Sequence, residues 1–181
     1  EMCIRDRFKA IVFAGVIVFV VFHFLIRVVS VDGSSMVPTL HNGDRLITSN
    51  LFYTPSYGDI VILSENTGLN EALVKRVIAV AGQTVDIDFN LGQVYVDGEL
   101  LDEDYINDYT YREEGTVFPL TVPEGEVFLM GDNRNHSNDS RDSSLGTVDT
   151  RLLIGKAVFL VFPGRDYLTE QREFGRIGVL Q

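Results

Sequence analysis

Hydrophobic residues follow two different patterns along this chain. Residues 10–31 are almost continuously apolar, and Ala10–Leu25 carries no charge and a single polar residue, His23. An apolar run of about 20 residues is long enough to cross a hydrocarbon core of ~30 Å as a helix. From residue 32 onward, apolar and polar residues alternate, with many β-branched and aromatic side chains. The pattern therefore predicts one transmembrane helix over residues 10–31, followed by an all-β domain over residues 32–181.

Alternation with a period of two locates seven strands in this domain. Asp97-Gly98 is its strongest hairpin signal, because both residues tolerate the positive φ of a tight two-residue turn. About 150 residues suffice for partly open, barrel-like antiparallel sheets around a real core. Residues Asp102–Glu114 are acidic and tyrosine-rich without a clear period, and are predicted to form a solvated excursion. The predicted strands are Arg45–Thr48, Asp59–Leu63, Ala72–Val80, Thr84–Ile87, Gln93–Val96, Val127–Met130 and Ile154–Phe162.

A cleaved secretory signal and a buried core helix are the other interpretations of residues 10–31. A signal peptide would end in small residues at an A-x-A-like site, which this run lacks. A core helix would be amphipathic, whereas this run is apolar on every face. Arg5, Arg7 and Lys9 precede the run and Arg27 alone lies near its end. The positive-inside rule therefore predicts a single-pass plasma-membrane protein, with residues 1–9 cytoplasmic and residues 32–181 extracytoplasmic.

Charge and cysteine content exclude several classes of protein. The net charge is −11, and residues 31–181 alone carry −13. An acidic body without a basic patch argues against a nucleic-acid partner, because phosphate binding needs clustered Lys and Arg. Cys3 is the only cysteine, which excludes an internal disulfide framework and a four-cysteine zinc site. The polar run 131–141 does not match a calcium loop, which needs Gly at its sixth and Glu at its twelfth position. No metal and no cofactor are predicted.

Gly33–Leu40 combines small residues, two adjacent hydroxyls and a proline, which predicts a tight, exposed turn. A turn of this kind can present Ser35 as a nucleophile, but a serine hydroxyl needs a neighbouring base. His136 lies among acidic residues, so a Ser-His-Asp triad is one hypothesis. His41 lies just before a turn, where an exposed histidine is expected.

Lys75 is the favoured base. In the predicted strand Ala72–Val80 it shares a face with Val77 and Ala79, and desolvation there lowers the pKa of the amine from ~10.4. A neutral lysine can accept a proton from a serine. The alternative is a lysine paired with an acid on a mostly buried strand. Arg76 points to the opposite face and needs a carboxylate partner if it is buried.

Three segments together, in this order and behind one anchor, resemble the type I signal peptidases. Ser35–Leu40 is similar to the nucleophile box of that family, Lys75–Val77 to its lysine box, and Gly131–Arg141 to its final box. The likeness covers residues 10–162 and is to the compact, single-span branch. Its connecting strands also have counterparts here, at Gly82–Val85, Val94–Gly98 and Ile154–Ala157.

The resemblance implies a Ser/Lys peptidase that needs no cofactor. Ser35 would attack the peptide carbonyl, and neutral Lys75 would take its proton and later return it to the leaving amine. Ser137 would hydrogen-bond to Lys75 and orient it. The scaffold ion pairs implied by the same likeness are Asp132 with Arg76 and Asp139 with Arg141.

The implied substrates are exported preproteins, cut after the signal peptide on the outer face of the membrane, with small side chains at −1 and −3. The predicted substrate-binding residues are Val31, Met36 and Val74. For the oxyanion, the backbone N–H of Ser35 is the first predicted donor. The second is either another backbone N–H, with Gly33 as the candidate, or an ordered water, because some relatives carry a serine where this chain has Gly33. Membrane lipid and the export machinery are the other expected partners.

Two other functions stay open at this point. One is a related Ser/Lys processing peptidase with a dedicated pilus or conjugation substrate. The other is a catalytically idle β domain that is tethered to the membrane as a binding module. The joint presence of Ser35, Lys75 and Ser137 argues against the idle domain.

Overall fold

The structure is a computed structural model that describes residues 7–17, 27–64, 72–166 and 169–180. Within these ranges, residues 7–17 are helical and the rest of the chain is built from strands and short 3₁₀ turns. The strands are β1 (Arg27–Ser30), β2 (Arg45–Ser49), β3 (Ile60–Leu63), β4 (Val74–Val80), β5 (Thr84–Asp88), β6 (Gln93–Val96), β7 (Glu99–Leu100), β8 (Leu120–Thr121), β9 (Glu126–Met130), β10 (Val148–Asp149), β11 (Leu153–Phe162) and β12 (Gly178–Val179). The 3₁₀ turns cover Arg134–His136, Thr150–Leu152 and Phe174–Arg176.

Eight of these strands form one large antiparallel sheet in the order β1-β2-β11-β3-β4-β9-β10, with β12 paired beside β11. The sheet stays open, since β1 and β10 end the path in the described part of the chain. The ten-residue strand β11 pairs with both β2 and β3, and bulges between Ala157 and Phe159 and between Leu160 and Phe162 shift its register against β2. Bulges bend a strand and increase its twist. The predicted antiparallel all-β architecture is confirmed.

A second antiparallel sheet has the order β7-β6-β5-β8. The predicted hairpin at Asp97-Gly98 joins β6 to β7, with φ of 53° and 82° at the two turn residues. Positive φ at both positions is the signature of a type I′ turn, whose twist matches that of the flanking strands. The hairpin prediction is confirmed.

One apolar cluster of the large sheet supports the segment between β1 and β2. Its members are almost fully buried, and burying such side chains contributes about 1.5–3 kcal/mol each. Because two members, Met36 and Leu40, belong to the predicted nucleophile turn, packing in the core holds that turn in place. The cluster consists of Val31, Met36, Leu40, Leu46, Ile60, Ile62, Val74, Ala157 and Leu160.

All seven predicted strands are confirmed, with ends that agree to within two residues. The remaining strands, β1, β7, β8, β10 and β12, have two to four residues each. A strand of two residues is too short to establish a period, and the residues of β1 continue the apolar run without alternating, so alternation could not indicate these five strands. Their pairing depends on neighbours that are distant in sequence.

The structure differs from the prediction at the end of the apolar run 10–31. Residues Arg27–Ser30 form β1 and pair antiparallel with β2, and Val31 is buried in the core. Apolar β-branched residues suit a strand as well as a helix, so the run by itself could not mark this change. Of the rest of the predicted anchor, residues 18–26 lie outside the described residues. No helix in the described ranges is both long and apolar enough to cross a membrane.

Residues Asp102–Glu114 are irregular and most of them are exposed, as the predicted solvated excursion requires. The segment is nevertheless attached to the protein: Thr110 is fully buried, and the backbone N–H of Asn107 donates to the carbonyl of Asp132 at 3.0 Å. It therefore lies against the polar loop Gly131–Arg141 with most of its residues facing solvent.

Candidate active site

The candidate site is centred on the turn between β1 and β2. The two ends of this turn meet where the N–H of Val31 donates to the carbonyl of Asp44 at 2.8 Å. Within the turn, the N–H of Leu40 donates to the carbonyl of Met36 at 2.8 Å, and both side chains are buried in the core. These anchors leave Ser35 half-buried on the outer side of the turn.

Lys75 extends from β4 and reaches the turn. Its Nζ donates a hydrogen bond to Ser35 Oγ at 2.7 Å, and its side chain is 2% exposed. Burial lowers the pKa of Lys75 to about 8, although Asp139 partly opposes that shift by favouring the charged amine. Once the amine is neutral, the same contact lets Ser35 donate its proton to Nζ. A buried lysine in contact with a serine hydroxyl has the geometry that a nucleophile and its base require.

The lowered pKa of Lys75 predicts how activity depends on pH. Only the neutral amine can act as base, so kcat/KM should rise as pH rises through about 8 and level off above it. The expected gain from pH 6 to the plateau is about 100-fold. A pH profile of peptide cleavage measures this, with Lys75→Ala as the blank. A profile that is flat between pH 6 and 9 would contradict a lysine base and favour a histidine, whose ordinary pKa is ~6.5.

The polar loop Gly131–Arg141 follows β9, which pairs with β4 and so brings the loop beside Lys75. Asn133 joins this loop to the nucleophile turn: its N–H donates to the carbonyl of Ser35 at 2.9 Å, and its side-chain Nδ2 donates to the carbonyl of Ser34 at 3.1 Å. Two bonds from one asparagine therefore hold the backbone on which the nucleophile lies.

Two buried ion pairs lie beneath the site. The Arg76 guanidinium binds both carboxylate oxygens of Asp132, at 2.9 and 2.7 Å. Arg141 binds Asp139 in the same bidentate way, at 2.8 and 2.9 Å. Burial alone would raise the pKa of Asp139, but the Arg141 guanidinium outweighs it and holds that pKa below its usual range. Each arginine thus meets the carboxylate that a buried guanidinium requires.

The structure places Ser137 near the dyad but without the predicted bond to Lys75. Its Oγ is buried and makes no hydrogen bond with Lys75. The hydroxyl is directed to Asp139 instead, and helps to hold the pKa of that carboxyl below its usual range. Gly131 lies between Ser137 and the nucleophile turn. A Cβ at Gly131 would stand 2.5 Å from the carbonyl oxygen of Ser35 and would overlap Ser137 Oγ. Only glycine therefore fits between the two serines, and the orienting role of Ser137 stays a prediction.

Comparison with known proteins shows the family of this chain. The family model described as "Signal peptidase, peptidase S26" matches residues 4–162. This chain belongs to that family. It is 36% identical over 170 residues to a probable signal peptidase I-1 of Synechocystis sp., covering 88% of this chain and 83% of the relative. It is 36% identical over 165 residues to a signal peptidase I of Bacillus licheniformis, covering 86% and 87%. A crystal structure of a signal peptidase I from Enterococcus faecalis V583 is similar over 57% of this chain and 97% of its own, at 29% identity and a TM-score of 0.48.

Membership of this family makes the chain a serine endopeptidase. Of the histidines considered as bases, neither hydrogen-bonds to Ser35 in the described part of this peptidase. His136 is exposed in its 3₁₀ turn. His41 is buried, contrary to the prediction, with its Nδ1 3.3 Å from a carboxylate oxygen of Asp166. The geometry therefore favours Lys75 over a histidine as the base.

Sequence reasoning missed a second layer of this peptidase's site. Glu103 binds the buried guanidinium of Arg134 at 2.5 and 2.9 Å. The Tyr105 ring lies 4.0 Å from the guanidinium carbon of Arg76, a cation–π distance. Arg134 was the available signal, because a buried arginine needs a carboxylate and the acidic segment 102–114 offered several. The sequence could not show which of these acids binds Arg134, because all of them are distant from it along the chain.

Gly33 does not offer the N–H that was predicted for the oxyanion. That N–H donates to the side-chain Oδ1 of Asn42 at 3.1 Å. The backbone N–H of Ser35, in contrast, makes no hydrogen bond within the described part of the chain. The first predicted donor is thus available, whereas the second is engaged within the turn.

The three residues predicted to bind substrate lie together. Val31, Met36 and Val74 are 4%, 1% and 7% exposed and belong to the same apolar cluster beneath the turn. Val74 opens β4 one residue before Lys75, and Met36 follows Ser35 directly. Val74 and Met36 therefore adjoin Lys75 and Ser35 along the backbone, while all three side chains pack into the core.

Proposed function

We propose that this peptidase removes N-terminal signal peptides from exported preproteins, with Ser35 as nucleophile and Lys75 as general base. The observation that carries the proposal is the 2.7 Å contact between Lys75 Nζ and Ser35 Oγ, made by an amine whose pKa burial lowers to about 8. The relatives named above are signal peptidases, and this chain aligns with most of their length. That similarity supports the same substrate class here.

The steps follow from the positions of these groups. Ser35 Oγ attacks the carbonyl carbon of the scissile bond while its proton passes to Lys75 Nζ. The protonated lysine then gives that proton to the leaving amine, and the carbonyl remains bound to Ser35 as an ester. A water, deprotonated by the same lysine, hydrolyses the ester and restores the enzyme. The Ser35 N–H is the proposed donor to the oxyanion, and one such donor contributes about 10²–10³ in kcat.

The proposed pocket for the small side chains at −1 and −3 is bordered by Val31, Met36 and Val74. Support comes from their place in one cluster directly beside the dyad. Side chains that already fill the space beneath the turn leave little volume for a substrate residue. This arrangement suits alanine or glycine at the cleaved position and disfavours large residues.

One experiment separates this function from the two alternatives. The full chain is incubated with a purified preprotein and, separately, with a pilus or conjugation substrate. The new N-terminus of each product is then sequenced. Cleavage after a small residue at the end of the signal peptide is the expected result. Cleavage of a dedicated pilus or conjugation substrate alone would favour a specialised processing peptidase. No cleavage of either substrate would favour an idle binding domain.

We propose that residues 10–26, the part of the apolar run that precedes β1, anchor the peptidase in the plasma membrane as a single pass, with the N-terminus cytoplasmic and the catalytic domain outside. These residues carry no charge, they reach the shortest length that spans a bilayer as a helix, and basic residues precede them. Lipid and the export machinery are its expected neighbours. The turn that carries Ser35 follows β1 closely, which would keep the site near the membrane surface where a signal peptide emerges.

Deleting residues 1–26 tests the anchor without cutting into β1, which begins at Arg27. The truncated enzyme should still cleave a soluble peptide, because the described sheets and the dyad all lie beyond the deletion. Cleavage of a membrane-inserted preprotein should fall much further, since anchoring raises the effective concentration of enzyme and substrate in one layer. Equal losses on the two substrates would show that the run contributes to folding rather than to placement.

A further inference from the structure

The last segment of the chain lies beyond the residues that match the family, which end at 162. The C-terminal strap, defined here as residues 163–166 and 169–180, returns along the large sheet. Its strand β12 pairs with β11, and Leu180 packs against the apolar cluster that contains Met36 and Leu40 of the nucleophile turn. The strap thus meets the structural support of Ser35 from outside.

Asp44 is the residue through which the strap contacts the turn. Its carboxylate is fully buried, with a side-chain exposure of 0%. One oxygen accepts the N–H of Gly164 at 2.6 Å, and the other accepts the N–H of His41 at 2.8 Å. The guanidinium of Arg176 binds both oxygens, at 3.2 and 2.7 Å. A buried carboxylate with this set of donors is a fixed point of the structure.

Arg176 also reaches the turn directly. Its Nη2 donates to the carbonyl of Thr39 at 3.0 Å. On the other side of the same residue, Thr39 Oγ1 donates to Asp132 at 2.5 Å, and Asp132 is held by Arg76. The nucleophile turn is therefore held at Thr39 by the strap on one side and by the scaffold ion pair on the other.

A shift at these contacts would move the nucleophile. The carbonyl of Asp44 accepts the N–H of Val31, so Asp44 closes the turn that carries Ser35. Thr39 lies four residues after the nucleophile. Reacting groups must be held to within about 0.5 Å, and a misplacement of ~1 Å can cost 10²-fold in rate.

We propose that the C-terminal strap positions Ser35 for attack, and that Arg176 and Asp44 are positioning residues of the reaction. Neither residue contacts Lys75 in the described contacts, so they act on the geometry of the nucleophile and not on the basicity of its partner. The proposal rests on Ser35 being the nucleophile. A Ser35→Ala variant checks that assumption separately, because an active Ser35→Ala enzyme would refute the proposed function whatever the strap does.

Arg176→Ala in the full chain is the test, with a signal-peptide-bearing peptide as substrate, well below the melting temperature of each variant. We expect kcat to fall about 10- to 100-fold. KM should stay within about twofold, and the midpoint of the pH profile should not move. The matched control is Arg165→Ala, which removes the same charge from the same strap. Arg165 is exposed, and its side chain makes no hydrogen bond or ion pair with the described part of the chain. Its kcat should equal that of the wild type.

Arg176→Lys keeps the test decisive if the alanine variant fails to fold. An ammonium preserves the charge opposite Asp44 but cannot reproduce the planar fork that serves Asp44 and Thr39 together. If both variants fold, the kcat of Arg176→Lys should lie between those of the wild type and the alanine variant. If only the lysine variant folds, its kcat should be about threefold to tenfold below that of the wild type. A lower melting temperature with wild-type kcat would reduce the strap to a stabilising element and overturn the proposal. A shifted pH midpoint would overturn it as well, by placing the effect on Lys75.

Discussion

Replacing Lys75 by alanine should lower kcat/KM for preprotein cleavage by about 10⁴-fold or more, as expected when a nucleophile loses its base. Ser35→Ala should give a loss of the same size, because the two groups act as one unit and their effects are not additive. The physical reason is the 2.7 Å contact between Nζ and Oγ, without which the hydroxyl keeps its proton at neutral pH. Steady-state cleavage of a preprotein, with circular dichroism to verify the fold, measures both variants.

Histidine variants are the matched controls for the dyad. His41→Ala and His136→Ala should each keep most of the activity, since neither imidazole contacts Ser35 in the described part of the chain. Lys75→Met, which preserves most of the buried volume, separates loss of the base from loss of packing. An inactive His136→Ala enzyme alongside an active Lys75→Ala enzyme would show that the base is a histidine and that the dyad is wrong.

Replacing Gly131 by alanine should lower kcat by about 10²-fold or more, although it adds one methyl group and no charge. That methyl group would lie 2.5 Å from the carbonyl oxygen of Ser35 and would overlap Ser137 Oγ. Both contacts are far shorter than van der Waals separations, so the nucleophile turn or the polar loop must shift. Because Ser35 reacts only from a narrow range of positions, kcat should suffer more than the melting temperature.

Gly178→Ala is the control for this substitution. Gly178 lies in β12, and a Cβ there has no neighbouring atom within 4 Å. Its kcat should match that of the wild type. If Gly131→Ala kept full activity, the close approach of the two serines would be dispensable, and Ser137 would have no part in positioning the dyad.

The sequence alone determined most of the β framework. Alternating side chains indicated the long strands, such as Val74–Val80 and Leu153–Phe162, because a strand with two different faces leaves a period of two in the sequence. The Asp97-Gly98 hairpin was predictable for a local reason, since few residue pairs accept positive φ twice. The contact between Ser35 and Lys75 was also predictable, from a serine in a turn, a lysine on an apolar strand and the resemblance of both segments to a known family.

Tertiary structure decided the features that join distant residues. Residues 27–30 read as apolar continuation, yet pairing with β2 makes them a strand. Ala79 was predicted to share a face with Lys75, but a bulge in β4 places it in the same apolar cluster as Ile78. A bulge adds one residue to a strand without changing its composition, so the sequence does not indicate it.

The surroundings of the dyad likewise became clear only from the fold. Glu103 and Tyr105 lie about thirty residues from the arginines they meet, and Arg176 lies 132 residues from Asp44. A sequence shows that a buried guanidinium needs an acid, but not which acid the chain brings to it. Local sequence motifs therefore indicated the proposed reacting residues, Ser35 and Lys75. The positions of their side chains, in contrast, depend on contacts that form only when the chain folds.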